Sequence, residues 1–543
     1  MRGHLLPVAS VLSVAVSARL LQLLLSSLPL NIDSFAQVAI ATDLMQSGHW
    51  GLDEESLNAY NLKMPHLPVL LAVSASLTGV DPLQLAAPFM IIISLSGILG
   101  TYALAYVLTR KRAIAASAAL VLALLGPYIF LSSTLMKEAV GLSLLPLLVL
   151  LLIKREDRRM RGLAAAILLI LPLIHHLSMV MAYGFVSLIV LLQHAQAYWH
   201  GRWSWRALGL DLLLGPALFL FGLWYYISVR MEFFTIVWST NEIALFLSTA
   251  LIMAAAGLLL TSRRRARPWF ALSKSKLLPS LVDQKSLVIV GAFLLVVANA
   301  YRPLFPGTVR TSYLLLAIAA VYIPLALLAL VGFNVHRLSS GPQKTVVLSL
   351  ILAPLTVIVY ALLRGLDPLS HVLLYRSVDF LDYGLAIAIG TALLRRPRGK
   401  RRPVLVIVML LSLLATLPLA YGTEEVLQVQ NTTYRYELAA LGWLVGVTGV
   451  TPETDQRIGA ILSMYFNARA DSTLPFKLEV GAAHEAGSVL LVEENWSTRG
   501  AQVHPLPFLR IREEAFLRLQ EDSNLIYHGG DSVNSLYIII ATG

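Results

Sequence analysis

Long apolar runs dominate the chain, and the short polar connections between them carry much of its arginine and lysine. Runs able to cross about 30 Å of hydrocarbon lie near residues 5–30, 83–108, 113–131, 138–153, 162–176, 177–193, 207–229, 242–262, 286–301, 311–333, 345–363, 376–394 and 403–421. The pattern predicts a mainly α, polytopic membrane protein of about 13 transmembrane helices. The first run is longer than a signal-peptide core and lacks a clear small-x-small cleavage site, so it reads as a retained anchor. A further apolar stretch, Leu67 to Leu77, is too short to span at about eleven residues and reads as an interfacial helix on the outer surface.

Charge fixes the expected orientation. Arg2, Arg110 to Arg112, Lys154 to Arg161, Arg202 with Arg206, Arg263 to Arg267, Arg337 with Lys344, and Arg395 to Arg402 all fall on one side if Leu67 to Leu77 does not cross. Basic connections stay cytoplasmic, which predicts an integral plasma-membrane protein with a cytoplasmic N-terminus. The other side receives the loop 31–82, shorter loops near Met231 to Glu242, Tyr301 to Arg310 and Arg364 to Arg376, and everything after about Gly422. The expected division is a membrane domain, 1–421, and an extracytoplasmic α/β domain, 422–543. In the latter, YELAALGWLVGV and TDQRIGAILSMYF read as amphipathic helices, and FKLEV, SVLLVEE and SLYIII as strands.

Composition narrows the function classes. The chain is 57% hydrophobic and 13% charged, too few ionic side chains to coat several soluble domains, and its net +11 sits in loop clusters. That placement serves membrane orientation, and no nucleic-acid partner is expected. With no cysteine, disulfides, thiolate metal sites and cysteine nucleophiles are excluded. No Walker loop, dinucleotide-binding glycine fingerprint or nucleophile elbow is present.

The first outer loop carries the strongest signal. NIDSFAQVAIATDLMQSGHW places Asp33 and Ser34 at a helix start, apolar residues at helical spacing, and Gly48 as its stop. NLKMPHLPVLLAVSASLTGVDP then sets Lys63 and Pro65 before the interfacial helix. An acid after the first crossing, an A-x-x-A helix ending S-G-x-W, and a K-P-P-like turn match at Asp33, Ala36, Ala39, Ser47, Gly48, Trp50, Lys63 and Pro65. Here the chain resembles the GT-C superfamily of integral-membrane glycosyltransferases, in particular the aminoarabinose transferase and protein O-mannosyltransferase-like branch. The motif likeness covers about the first 110 residues, and beyond them it is architectural. Relatives of the aminoarabinose type usually have an acid just before the lysine; this chain has Leu62.

The resemblance implies transfer of a sugar from a polyprenyl-phosphate-linked donor to a lipid, glycan or protein acceptor on the outer side of the membrane, within membrane lipid. An inverting transfer needs a base for the acceptor's proton, and Asp33 is the candidate. The departing lipid phosphate calls for cationic groups or a divalent metal ion; no other cofactor is expected. Lys63 is the first candidate for phosphate binding. Arg302, Arg310 and Arg376 join it, because arginine is unexpected in outer loops and its fork suits phosphate oxygens.

Glu138, beside Lys137 at the outer mouth of the fourth crossing, His175 and His176 at a hairpin end, and Asp379 near Asp382 at the start of a crossing are candidates for lining the cavity. Each also has a plain structural reading: Asp33 as a helix cap, Lys63 as a headgroup anchor, Glu138 as a helix-start acid, the histidines as partners of helix ends, and Arg376 paired with Asp379 one turn away. A lipid-linked-saccharide transporter or flippase and a non-catalytic membrane scaffold are the competing functions.

Overall fold

The computed structural model describes residues 2–542 apart from 27, 232–239, 262–283, 303, 305–309, 311–312, 339–341, 366, 396–400, 422–429, 448, 483, 499, 504–508, 522 and 531–534. Basic residues Arg263 to Arg267, much of the loops 231–242 and 301–310, and the boundary at Gly422 therefore lie outside the described residues.

The protein is a bundle of apolar helices followed by a small α/β unit. Among the described residues, eight helices are long and apolar enough to cross a membrane, or up to nine with a bent pair counted as one span. The expected runs that remain fall on four further helices, Lys137–Ile153, Arg158–Ile174, Gln284–Tyr301 and Pro368–Arg395. The first two have 17 residues each, and the last carries Arg376, Asp379 and Asp382.

Local sequence sets the ends of the early helices. After α1 (Arg2–Leu25), Asn31 adopts the left-handed backbone region that asparagine tolerates, at φ 71°. Its side-chain oxygen accepts the Asp33 amide at 2.9 Å, which starts α2 (Asp33–Ser47); Gly48, at φ 72°, ends it by donating to Leu44. A single turn, α3 (Ala59–Leu62), leads to α4 (His66–Thr78), which Gly79 ends in the same way. The 13 residues of α4 reach only about 20 Å. Its Leu67, Leu71 and Ala75 are buried against the bundle while Leu77 is exposed. Asp81 and Pro82 start α5 (Pro82–Thr109), with the Asp81 carboxylate accepting from Leu83.

The run at 113–131, expected as one crossing, is broken. Helices α6 (Arg112–Leu124) and α7 (Gly126–Ser133) meet at 70° across Leu125. A helix break exposes carbonyls on one side and amides on the other, and both find partners. The Gly126 amide donates to Thr416 Oγ1 at 2.9 Å. The buried guanidinium of Arg19 reaches the Ala123 carbonyl at 3.4 Å and Ser132 Oγ at 2.8 Å. From this corner the chain turns into α8 (Lys137–Ile153), so the break delivers Lys137 and Glu138.

At the C-terminal end, helices Arg435–Val447 and Gln456–Tyr465 pack on an antiparallel sheet of order β1 (Val489–Glu493), β3 (Ser535–Ala541), β2 (Ser523–Gly530). Leu490 and Leu525 both pair with Ile539 of the central strand. The expected strand at FKLEV is instead helix Leu474–Val480, opened by Pro475 and closed by left-handed Gly481. Its alternation masked Leu474 and Leu478, four residues apart and both buried, which is helical spacing. Arg457 is buried between Glu437, at 2.7 Å, and Glu493. Asn431-Thr432-Thr433 and Asn495-Trp496-Ser497 match the N-glycosylation acceptor pattern; Asn431 and Asn495 are buried, and Asn495 donates to Gln430.

Candidate active site

The loop 31–82, the start of α8, the hairpin before α10 (His176–Trp199) and helix Pro368–Arg395 come together. Asp33 opens α2 with its amide tied to Asn31, while its carboxylate is half-buried and accepts no hydrogen bond among the described residues. The side chain that caps this turn is Asn31, so Asp33 is free of the capping role. Glu138 is 1% exposed and contacts the Arg376 guanidinium at 3.1 Å. The approach is close but poorly aligned, and neither Glu138 oxygen gains a hydrogen bond. Arg376 thus pairs across two helices rather than with Asp379 one turn along its own. Its Nε also donates to the Tyr375 hydroxyl at 3.2 Å.

Lys137 points away from its neighbour, as adjacent helical residues must. Its ammonium donates to Asn61 Oδ1 at 2.7 Å and lies 4.9 Å from the centre of the Tyr60 ring. Gln37 donates to the same Asn61 oxygen at 3.3 Å. Four residues beyond Asp33 on α2, Gln37 shares its face.

Asp33 lies within electrostatic reach of Lys137, Glu138 and Arg376. His175 and His176, with rings 4.6 Å apart, feel both Lys137 and Arg376. Asp379 feels Glu138 and Arg376. His175 has a local task as well, its ring nitrogen capping α10 at the Ser178 amide.

The other sequence candidates stand elsewhere. Lys63 is buried with its ammonium on the Arg230 carbonyl at 3.0 Å, and its own carbonyl accepts the Tyr225 hydroxyl at 2.9 Å. Arg302 and Arg310 are exposed on either side of residues outside the description. Arg364 is engaged by Glu242 and Asp367. Conversely, Lys137, Asn61, Tyr60 and Gln37 enter the cluster without having been singled out for it. The readable signal was MKEA at the start of α8, a cation placed as favourably as its acidic neighbour.

The donor set does not suit a divalent ion. Among the described residues no three His, Cys, Asp or Glu side chains converge as metal ligands. Around Asp33 and Glu138 the neighbouring side chains include an ammonium and a guanidinium, whose positive charge opposes a metal ion there.

No family model matches the sequence, and no curated protein matches it. Solved structures do. The archaeal oligosaccharyltransferase AglB from Archaeoglobus fulgidus, in complex with an inhibitory peptide and a dolichol-phosphate, is similar over 99% of this chain and 74% of its own, with TM-score 0.55 and 13% identity. The chain has the GT-C fold. A second GT-C structure, the arabinofuranosyltransferase AftD from Mycobacteria, is similar over 97% of this chain and 41% of its own, with TM-score 0.51 and 14% identity. ArnT from Cupriavidus metallidurans bound to undecaprenyl phosphate aligns over 98% and 97% of the two chains, at TM-score 0.41 and 12% identity. Aligned over nearly its whole length with AglB, the chain is a multi-pass membrane protein with a helical bundle followed by a C-terminal α/β unit.

Proposed function

We propose that this protein is a membrane glycosyltransferase moving a sugar from a polyprenyl-phosphate-linked donor to an acceptor on the outer side of the membrane. The observation that carries the reading is the Asp33 carboxylate, which accepts no hydrogen bond among the described residues and lies within electrostatic reach of two cations, Lys137 and Arg376. Asp33 takes the acceptor's proton as its oxygen attacks the anomeric carbon. The bond from that carbon to the donor phosphate breaks, and the polyprenyl phosphate leaves with the electron pair. Its growing negative charge is met by the Lys137 ammonium and the Arg376 guanidinium, held in place before the charge develops. Phosphate binding, for which the sequence nominated Lys63, Arg302, Arg310 and Arg376, thus centres on Lys137 and Arg376.

Glu138 orients Arg376, while His175, His176 and Asp379 surround the pair. The basic connections support a cytoplasmic N-terminus, with the site and the C-terminal unit on the outer side. The dolichol-phosphate in the AglB complex supports a lipid-phosphate donor.

The test is donor consumption. Protein in proteoliposomes would be given polyprenyl-phosphate sugars radiolabelled in the sugar, with an envelope extract as acceptor source. The reading predicts loss of label from the lipid and release of free polyprenyl phosphate in proportion to enzyme. Movement of intact donor across the bilayer without consumption would overturn it in favour of a flippase.

A further inference from the structure

We infer that the C-terminal α/β unit positions the catalytic carboxylate, with Phe35 and Tyr465 as its positioning residues; this rests on the reading of Asp33 as base. Successive residues of a helix are turned by about 100°, so Phe35 points roughly opposite the face shared by Asp33 and Gln37. That opposite face is inserted in the C-terminal unit. Phe35 is fully buried in the core made by Leu441, Ile458, Ile461 and Leu462, although it lies more than 400 residues away in sequence. Its ring meets Tyr465 edge to face at 5.6 Å.

Two hydrogen bonds bracket that contact. The Asn31 amide, two residues before Asp33, donates to the Asn431 carbonyl at 2.8 Å. Asn58 Nδ2 donates to the Met464 carbonyl at 2.8 Å, one residue before Tyr465. Asn58 precedes α3, whose Asn61 holds both Lys137 and Gln37. The single turn Met464–Tyr465 therefore grips both the element carrying the base and the element holding the phosphate-site lysine. A carboxylate at the first turn of a helix follows the tilt of that helix, so loosening the grip moves Asp33 relative to Lys137 and Arg376 while leaving the membrane bundle assembled.

The experiment compares wild type with Tyr465→Ala, Tyr465→Phe and Asn58→Ala, all in full-length protein, by amide hydrogen exchange over residues 31–48 and by donor turnover. Tyr465→Ala is expected to speed exchange at residues 33–37 and to lower kcat by roughly 10- to 100-fold, the cost of a misplacement of about 1 Å, with the donor KM unchanged. Tyr465→Phe keeps the ring contact and restores both readouts. Asn58→Ala, which removes one hydrogen bond and no core volume, should give a smaller change of the same kind and serves if Tyr465→Ala misfolds. Unchanged exchange at residues 33–37 in both Tyr465→Ala and Asn58→Ala overturns the inference whatever the activity. Full turnover by Asp33→Asn, with exchange still altered in Tyr465→Ala, would instead overturn the assignment of Asp33 and leave the mechanical coupling standing.

Discussion

Neutralising Glu138 tests whether the two-helix ion pair is what holds the site together. At 3.1 Å and an effective dielectric constant of about 20, opposite unit charges attract by roughly 5 kcal/mol. Desolvation takes back much of that attraction, because Glu138 is almost wholly buried. The measurable quantity is therefore the cost of leaving one partner alone, about 3–5 kcal/mol for a buried pair. Glu138→Gln keeps the shape and strands the guanidinium; Arg376→Gln strands the carboxylate. Equilibrium unfolding in mixed micelles, followed by tryptophan fluorescence, should show each single variant destabilised and the double variant no worse than the weaker single. The coupling energy expected from the cycle is on the order of 1–3 kcal/mol. Additive losses would refute the reasoning, since they would mean that Glu138 and Arg376 act through separate partners.

Three further outcomes follow from other contacts. Gly332→Ala should lower the melting temperature and the monodisperse yield, because a Cβ there would meet the Ala388 carbonyl oxygen at 1.7 Å and force two packed helices apart; overpacking of this kind costs about 1–3 kcal/mol or more. In the C-terminal unit, burial alone would raise the Asp471 carboxyl, but hydrogen bonds from Thr473 and Lys477 outweigh it and hold it below the usual aspartate range. A lowered carboxylate stabilises the fold above its unfolded value of about 3.9 and loses that contribution as pH falls through the folded value, so Asp471→Asn should be less stable than wild type at pH 7, with the gap closing below pH of about 4 in thermal unfolding. Because Lys137 and Arg376 lie within electrostatic reach of Asp33, donor turnover should persist in EDTA; abolition by chelation with recovery on adding a divalent ion would show that a metal completes the site.

Much of the membrane architecture was legible because lipid imposes a simple rule: apolar runs of sufficient length become helices. The stop at Gly48 and the short helix after Pro65 were likewise readable, since left-handed glycine and span length are local properties. Three features were not. The break at Leu125 interrupts an apolar run that hydropathy reads as continuous, although Leu125-Gly126-Pro127 carries a breaker pair. Strand β2 was missed because His528, Gly529 and Gly530 and its exposed edge position dilute the alternating pattern. Lys63 was readable from its place in a motif, whereas its partner in space was not: Lys63 donates to the Arg230 carbonyl, and Lys137 reaches Asn61. Glu138 and Arg376 are more than 200 residues apart, and no local pattern could have paired them.

The most direct test of Asp33 as base is single-turnover transfer by Asp33→Asn beside wild type, with donor binding measured on the same preparations. The amide keeps the size and the Asn31 contact through the backbone but cannot take a proton. The account predicts unchanged donor affinity within a few-fold and a transfer rate lower by roughly 100- to 10,000-fold, the usual contribution of a general base. Transfer by Asp33→Asn at the wild-type rate, with donor bound normally, would contradict it.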